Sequence, residues 1–253
     1  MKATFTLLLT LFLLGNTISS FSHENKTLFT NNSQPPVFVS SNTQSEIGVY
    51  DLSGMGISMN SFTSQALDAS GIYYDDKNDI LYQLNRTDNV INAYSGVCDS
   101  LSIGANPIVT ATSTSDFVNG REIAVSGNKL VLAEDASPNN GNVNKFFIYD
   151  LTPTDITLDV SFEVSVDIWG FRILESTVFA VVDNSNQIAV FNNFFDNEDG
   201  SMVVPPNLVT IEGLNSARGI TYIPAGDRMI LTDIGDMAND TDGAIVYLSL
   251  IHI

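Results

Sequence analysis

One short phrase recurs along this chain. "SGIYY" begins at 70, "REIAV" at 121, "WGFRI" at 169 and "RGITY" at 218, at intervals of 51, 48 and 49 residues. After a tight polar turn each is followed by a second apolar segment: "DILYQL" at 79, "KLVLAE" at 129, "TVFAVV" at 177 and "RMILTD" at 228. A third segment ends on an aromatic residue, at Tyr94, Tyr149, Phe191 and Tyr247. "PVFVSS" and "EIGVYDL", with Tyr50, supply an earlier partial unit. Runs of β-branched and aromatic residues between Gly, Asn and Asp turns are strands, and no segment beyond the N-terminal apolar run shows helical spacing. "TLDVSFEVSV" at 157 and "NLVTIE" at 207 offer a fourth strand per unit.

Four antiparallel strands in a period of about 49 residues form a sheet too small to bury both of its faces, so the copies must stack on one another around an axis. The predicted fold class is therefore all-β, a β-propeller of four-stranded antiparallel blades. Sandwich folds repeat their turns but not a whole phrase at a longer period. Residues 23–247 hold about 4.6 periods, and propellers close with 4 to 8 blades. About five blades are thus visible of an expected six or seven.

"ARGITYIPAGDRMILTDIGD" with "GAIVYL", and "ASGIYYDDKNDILYQLNRTDNVINAYS", resemble the NHL repeat and the related YVTN type of propeller. In those repeats a Gly-Ile opens the inner strand, a turn leads to a second strand, and a polar loop leads to a strand ending in an aromatic. The resemblance covers roughly residues 36–247. It departs at Glu122, which stands where the phrase has Gly, and in the expanded loops at 133 and 233.

The two ends differ from the body. Residues 1–22 begin with one Lys, continue through an apolar run from Phe5 to Leu14 and end on small residues, as a secretory signal peptide does. The apolar run is too short to span a bilayer, and Ser20 and Ser22 flank an expected cut before His23. "LSLIHI" at 248–253 matches one translated frame of a transposase mosaic-end adapter used in sequencing, which makes it an expected artefact. The propeller domain is then 23–247, and the mature chain is expected to be secreted, periplasmic or at the cell surface, without membrane insertion and as a monomer.

Removing the leader takes away Lys2 and leaves nine basic against 29 acidic residues, a net charge of −20. Such a surface repels phosphate backbones, which argues against nucleic acid as a partner. Cys98 is the single cysteine, so no intrachain disulfide forms, and it is expected to be a small buried apolar residue more than a reactive thiol. Histidine stands only at 23 and 252, so the body has no imidazole for a catalytic triad, a general base or a His metal site. No phosphate-cradling Gly loop and no nucleophile elbow occurs.

In an antiparallel blade, the start of strand one lies near the axis, on the same face as the loop joining strands two and three. Ser70, Arg121, Trp169 and Arg218 hold the first position in four blades. Two guanidiniums and an indole at a channel mouth can grip a carboxylate, a sugar or an aromatic group. The plainer alternative is that they plug the channel, with Arg121 bonded to Glu122 or a nearby Asp. On the same face, "DIGDMANDTDG" carries Asp236, Asp240 and Asp242, part of a calcium-loop pattern without its closing Glu. A solvated turn is the simpler account of it. "DNEDG" at 196–200 falls on the opposite face and is read as a turn.

Two functions follow. The first is a non-catalytic extracellular scaffold, without a cofactor, that presents Arg121, Trp169 and Arg218 to a protein, peptide or glycan. The second follows from similarity to the gluconolactonase and regucalcin propellers, which implies a calcium-dependent lactonase or esterase. There Glu122, Asp183 and Asp233 would approach an axial Ca2+, although no Glu early in the first blade matches that family's ligand.

Overall fold

The computed structural model describes residues 36–51, 58–223, 227–235 and 243–249. The leader, Asp236, Asp240, Asp242 and residues 250–253, on which several expectations fall, lie outside them. The described chain is all-β, with five antiparallel sheets in a ring, a five-bladed propeller arrangement.

The first sheet contains β1 (Val37–Ser40), β2 (Glu46–Asp51) and β3 (Ser58–Thr63). The second contains β4 (Ala69–Asp75), β5 (Ile80–Asn85), β6 (Val90–Ser95) and β7 (Val109–Thr112). The third contains β8 (Gly120–Ser126), β9 (Lys129–Glu134), β10 (Asn144–Thr152) and β11 (Asp155–Val164). The fourth starts with β12 (Ile168–Leu174), β13 (Thr177–Val182) and β14 (Gln187–Phe191). From there the chain leaves to lay β15 (Met202–Val203) in parallel along β11, then returns as β16 (Asn207–Thr210). The fifth holds β17 (Ala217–Ile223), β18 (Arg228–Asp233) and β19 (Ala244–Ser249). The recurring phrases are the inner strands β4, β8, β12 and β17. Leu248 and Ser249, expected to be artefact, continue β19 against Met229 and Arg228.

The sheets are held by four apolar layers, one between each successive pair. Val49 and Phe62 meet Leu81 and Tyr94 between the first and second. Leu84 and Ile91 meet Leu130 and Leu132 between the second and third. Val131 and Phe146 meet Phe171 and Val178 between the third and fourth, and Val181 and Ile188 meet Met229 and Leu231 between the fourth and fifth. Alternate residues of one strand therefore serve two layers: Val178 and Ala180 face one neighbour, Phe179 and Val181 the other. That double burial is why the second strands read as continuous apolar runs.

The glycine of the phrase marks close approach between elements. A Cβ on Gly71 would lie 2.8 Å from the Ile123 nitrogen, and one on Gly170 would lie 2.6 Å from the Arg218 carbonyl oxygen, both in the next blade. On Gly219 it would lie 2.6 Å from Thr232 Oγ1 of the adjacent strand.

One helix departs from the expectation of strands alone. α1 (Val97–Ser102) sits between β6 and β7, burying Val97 and Leu101 one turn apart. At six residues it is too short to show periodicity, and its N-terminal amides are satisfied from a distance: Cys98 N donates to Asp79 Oδ1 at 3.0 Å. The Cys98 thiol lies half-buried, 3.0 Å from the Tyr74 hydroxyl, and burial pushes it up to about 11. That environment gives an inert thiol.

Since the contact at Gly170 is with backbone, it cannot relax by a side-chain rotation. Gly170→Ala is expected to destabilise the protein by roughly 1–3 kcal/mol, the usual range for overpacking, measured as a lowered urea midpoint. An unchanged midpoint would refute the close packing of β12 on β17.

Candidate functional site at the channel mouth

The four positions singled out at the start of the inner strands share one backbone device. In every inner strand the pairing register with the second strand slips at this point. Gly120 pairs with Glu134 and Glu122 with Ala133, which leaves Arg121 as an extra residue. Trp169 is extra between Ile168 and Gly170, and Arg218 between Ala217 and Gly219. In β4 the slip covers Ser70 and Gly71. A β-bulge takes its residue out of the ladder and re-aims the side chain. Here it takes one side chain per inner strand out of the ladder.

Three of them meet. The Arg121 guanidinium carbon lies 4.3 Å from the Trp169 ring centroid and that of Arg218 lies 3.8 Å from it, one from the preceding blade and one from the following. Each arginine also carries a carboxylate: Nε of Arg121 donates to Asp135 Oδ2 at 2.7 Å, with Nη2 on the same oxygen, and Nη1 of Arg218 donates to Asp183 Oδ1. Asp135 and Asp183 follow the second strands β9 and β13. They are fixed there because their backbone N–H groups donate to the carbonyls of Asn119 and Asp167, extending the sheet beyond the bulge. The result is a row, Asp135, Arg121, Trp169, Arg218, Asp183, in which every charge is compensated. Ser70 instead donates its hydroxyl to the Gly120 carbonyl at 3.2 Å and ties the second blade to the third.

The sequence marks the aromatic and basic members of the row, but it leaves Arg121 a choice of partners and gives Asp183 only as one of three acids that could approach an axial ion in the alternative reading. Aligning the residue after each second strand, Arg86, Asp135, Asp183 and Ile234, would have marked the carboxylates. It would also have marked Arg86, which reaches Asn119 Oδ1 at 3.3 Å and Asp68 at 3.8 Å.

Asp167 was missed. It precedes β12, the inner strand of the fourth blade, half-buried beside Asp135 and Asp183. Burial, then the charge of Asp135 and a hydrogen bond to it, then Asp183, push its carboxyl up to about 6, against the pull of Arg121. In its neutral form its O–H donates a hydrogen bond to Asp135 and relieves the crowding of three carboxylates.

The acids considered for an axial ion are separated in the structure. Asp183 is engaged by Arg218. Asp233 accepts from the backbone N–H groups of Asn215 at 2.5 Å, Ser216 at 2.9 Å and Gly235 at 2.8 Å, which hold its carboxyl below the usual range despite burial. Glu134 plays the corresponding part in the third blade, accepting from Val118 and Asn119. Glu122 is half-buried, accepts from the Ile123 amide, and is pushed up to about 7 by desolvation. Among the described residues no three His, Cys, Asp or Glu side chains group closely enough to hold a metal ion. Within the loop at 133–142, Asn140 Nδ2 donates to the carbonyls of Asp135 and Val143. On the opposite face Asp199 Oδ1 accepts from the Ser161 amide at 2.9 Å, as a turn anchor.

No family model matches the chain, and no curated protein matches it either. Solved structures do. Glutaminyl cyclase of Myxococcus xanthus is 15% identical, with a TM-score of 0.49, covering 84% of this chain and 87% of that one. The computationally designed Ika4 protein is 8% identical at a TM-score of 0.42, covering 73% of this chain and 92% of its own. The dihydro-heme d1 dehydrogenase NirN in complex with DHE is 10% identical at a TM-score of 0.46, covering 85% of this chain and 42% of its own.

Because Asp167 and Glu122 bind protons more readily in the folded chain than in the unfolded one, their contribution to stability is greatest at low pH. It is lost as pH rises, from about 4 to about 6 for Asp167 and on to about 7 for Glu122. The expected result is that Asp167→Asn, which mimics the neutral form, flattens the lower part of this slope in urea unfolding between pH 4 and 8. A wild-type slope retained in the variant would show that Asp167 is not the titrating group.

Proposed function

We propose that this protein is an exported, non-catalytic propeller whose channel mouth recognises a protein, peptide or glycan. The observation that carries the reading is the row of Arg121, Trp169 and Arg218. Three consecutive blades each contribute one bulged residue to it, and two carboxylates fix its geometry. A surface ordered before binding loses little entropy when a partner docks, which favours recognition by a rigid face. The exposed apolar side chains of Leu67, Val118 and Ile234 border this face and supply contact area around the polar centre. The repeated Gly-Ile phrase supports kinship with the NHL and YVTN propellers, and the apolar leader supports export. The acidic surface favours partners that are neutral or basic over polyanions.

Trp169 is the single tryptophan of the chain, so its fluorescence reports on the mouth alone. Glycan and peptide arrays probed with the mature protein are expected to yield ligands that shift this emission. Replacing both Arg121 and Arg218 by Gln is expected to weaken their binding at least tenfold. Retention of every ligand by a folded double variant would refute the assignment of the binding face.

A further inference from the structure

Deeper in the channel lies a second polar group of residues. Arg172 of β12, in the fourth blade, places its guanidinium carbon 5.2 Å from the ring centroid of Tyr73 of β4, in the second blade. Two blades that are not neighbours can meet only on the axial side of the inner strand between them, so this contact lies in the channel. The intervening strand, β8, has Glu122 at the place where the other three inner phrases have Gly71, Gly170 and Gly219. Glu122 feels the charge of Arg172 without forming an ion pair to it. Arg172 is three residues beyond Trp169, about 10 Å further along the strand.

Arg172 is unlike the other half-buried arginines. Arg86, Arg121 and Arg218 each have a carboxylate within 4 Å. Among the described residues Arg172 has no ion pair and no hydrogen bond, and its one specific contact is with the face of Tyr73. That leaves its N–H fork unused inside a protein of strongly negative charge. We propose that the channel binds a small monocarboxylate at Arg172, with the fork donating two parallel hydrogen bonds to the carboxylate and Tyr73 backing the guanidinium. A monoanion suits the place better than a phosphate dianion, because Glu122 and the acidic surroundings repel the second charge more than one arginine attracts it. The inference rests on the fold and the channel contacts, and not on the reading of the mouth.

The test is isothermal titration of the mature protein with sodium acetate against sodium chloride at matched ionic strength, at pH 8. Acetate is expected to bind saturably and chloride not to. Arg172→Gln is expected to weaken acetate at least tenfold, and Glu122→Gln, which removes the repelling charge, to tighten it several-fold. Triglycine with a free terminus, compared with its amide, separates a free small acid from a peptide C-terminus as the source. Tighter binding of the free triglycine than of acetate supports the proposal with a peptide end as ligand, and binding of acetate alone supports it with a free acid. Acetate indistinguishable from chloride overturns it, as does unchanged affinity in a folded Arg172→Gln. Should that variant fail to fold, a Glu122→Gln protein with unchanged or weaker acetate binding overturns it in its place.

Discussion

The inner-strand bulge is the constraint on which the rest of the site depends. A strand that paired without a slip would point alternate side chains into the two apolar layers on either side and leave none to spare. By inserting one residue per inner strand, the fold keeps its layers in register while releasing a side chain from the ladder. Where a glycine follows, as at Gly71 and Gly170, it lets the backbone of the next blade approach. Cation–π contacts of this kind contribute about 0.5–2 kcal/mol, a modest stabilisation that the paired carboxylates Asp135 and Asp183 reinforce by orienting the guanidiniums.

The acidic residues divide into those that build the wheel and those that face water. Glu134 and Asp233 do the former, each accepting backbone N–H groups just ahead of an inner strand. Those amides precede the ladder and have no strand partner, so a carboxylate at the end of the second strand completes the bonding. Asn85 stands at the same place in the second blade but turns its oxygen to Thr87 and Asp88, closing its own loop. One position thus serves two purposes: a carboxylate there gathers the amides ahead of the inner strand, while the uncharged amide of Asn85, no shorter than Asp233, closes its own loop.

The strands, the inner phrase and the grouping of Arg121, Trp169 and Arg218 were legible in the sequence because each follows from a repeat spacing. What was hidden depends on contacts between residues far apart along the chain. The helix at 97–102 is capped by Asp79, and no local pattern announces that. Asp167 looks like an ordinary turn residue until Asp135 and Asp183 are placed beside it. Arg172 sits in the same phrase as Trp169, yet its lack of a carboxylate is a property of three blades taken together. Asp183 and Asp233 were candidates for an ion, and their engagement with Arg218 and with backbone amides depends on register, which composition does not reveal.

Among the described residues, the excursion between β14 and β16 gives the third and fourth blades a tie beyond their shared apolar layer. Its parallel strand β15 joins the edge of β11, and Phe194 from the same excursion inserts against Phe146, Phe162 and Phe191. These two blades share a covalent strap as well as an interlocked aromatic knot. Under mechanical load or thermal fraying this pair should hold together longer than two blades joined by an apolar layer alone.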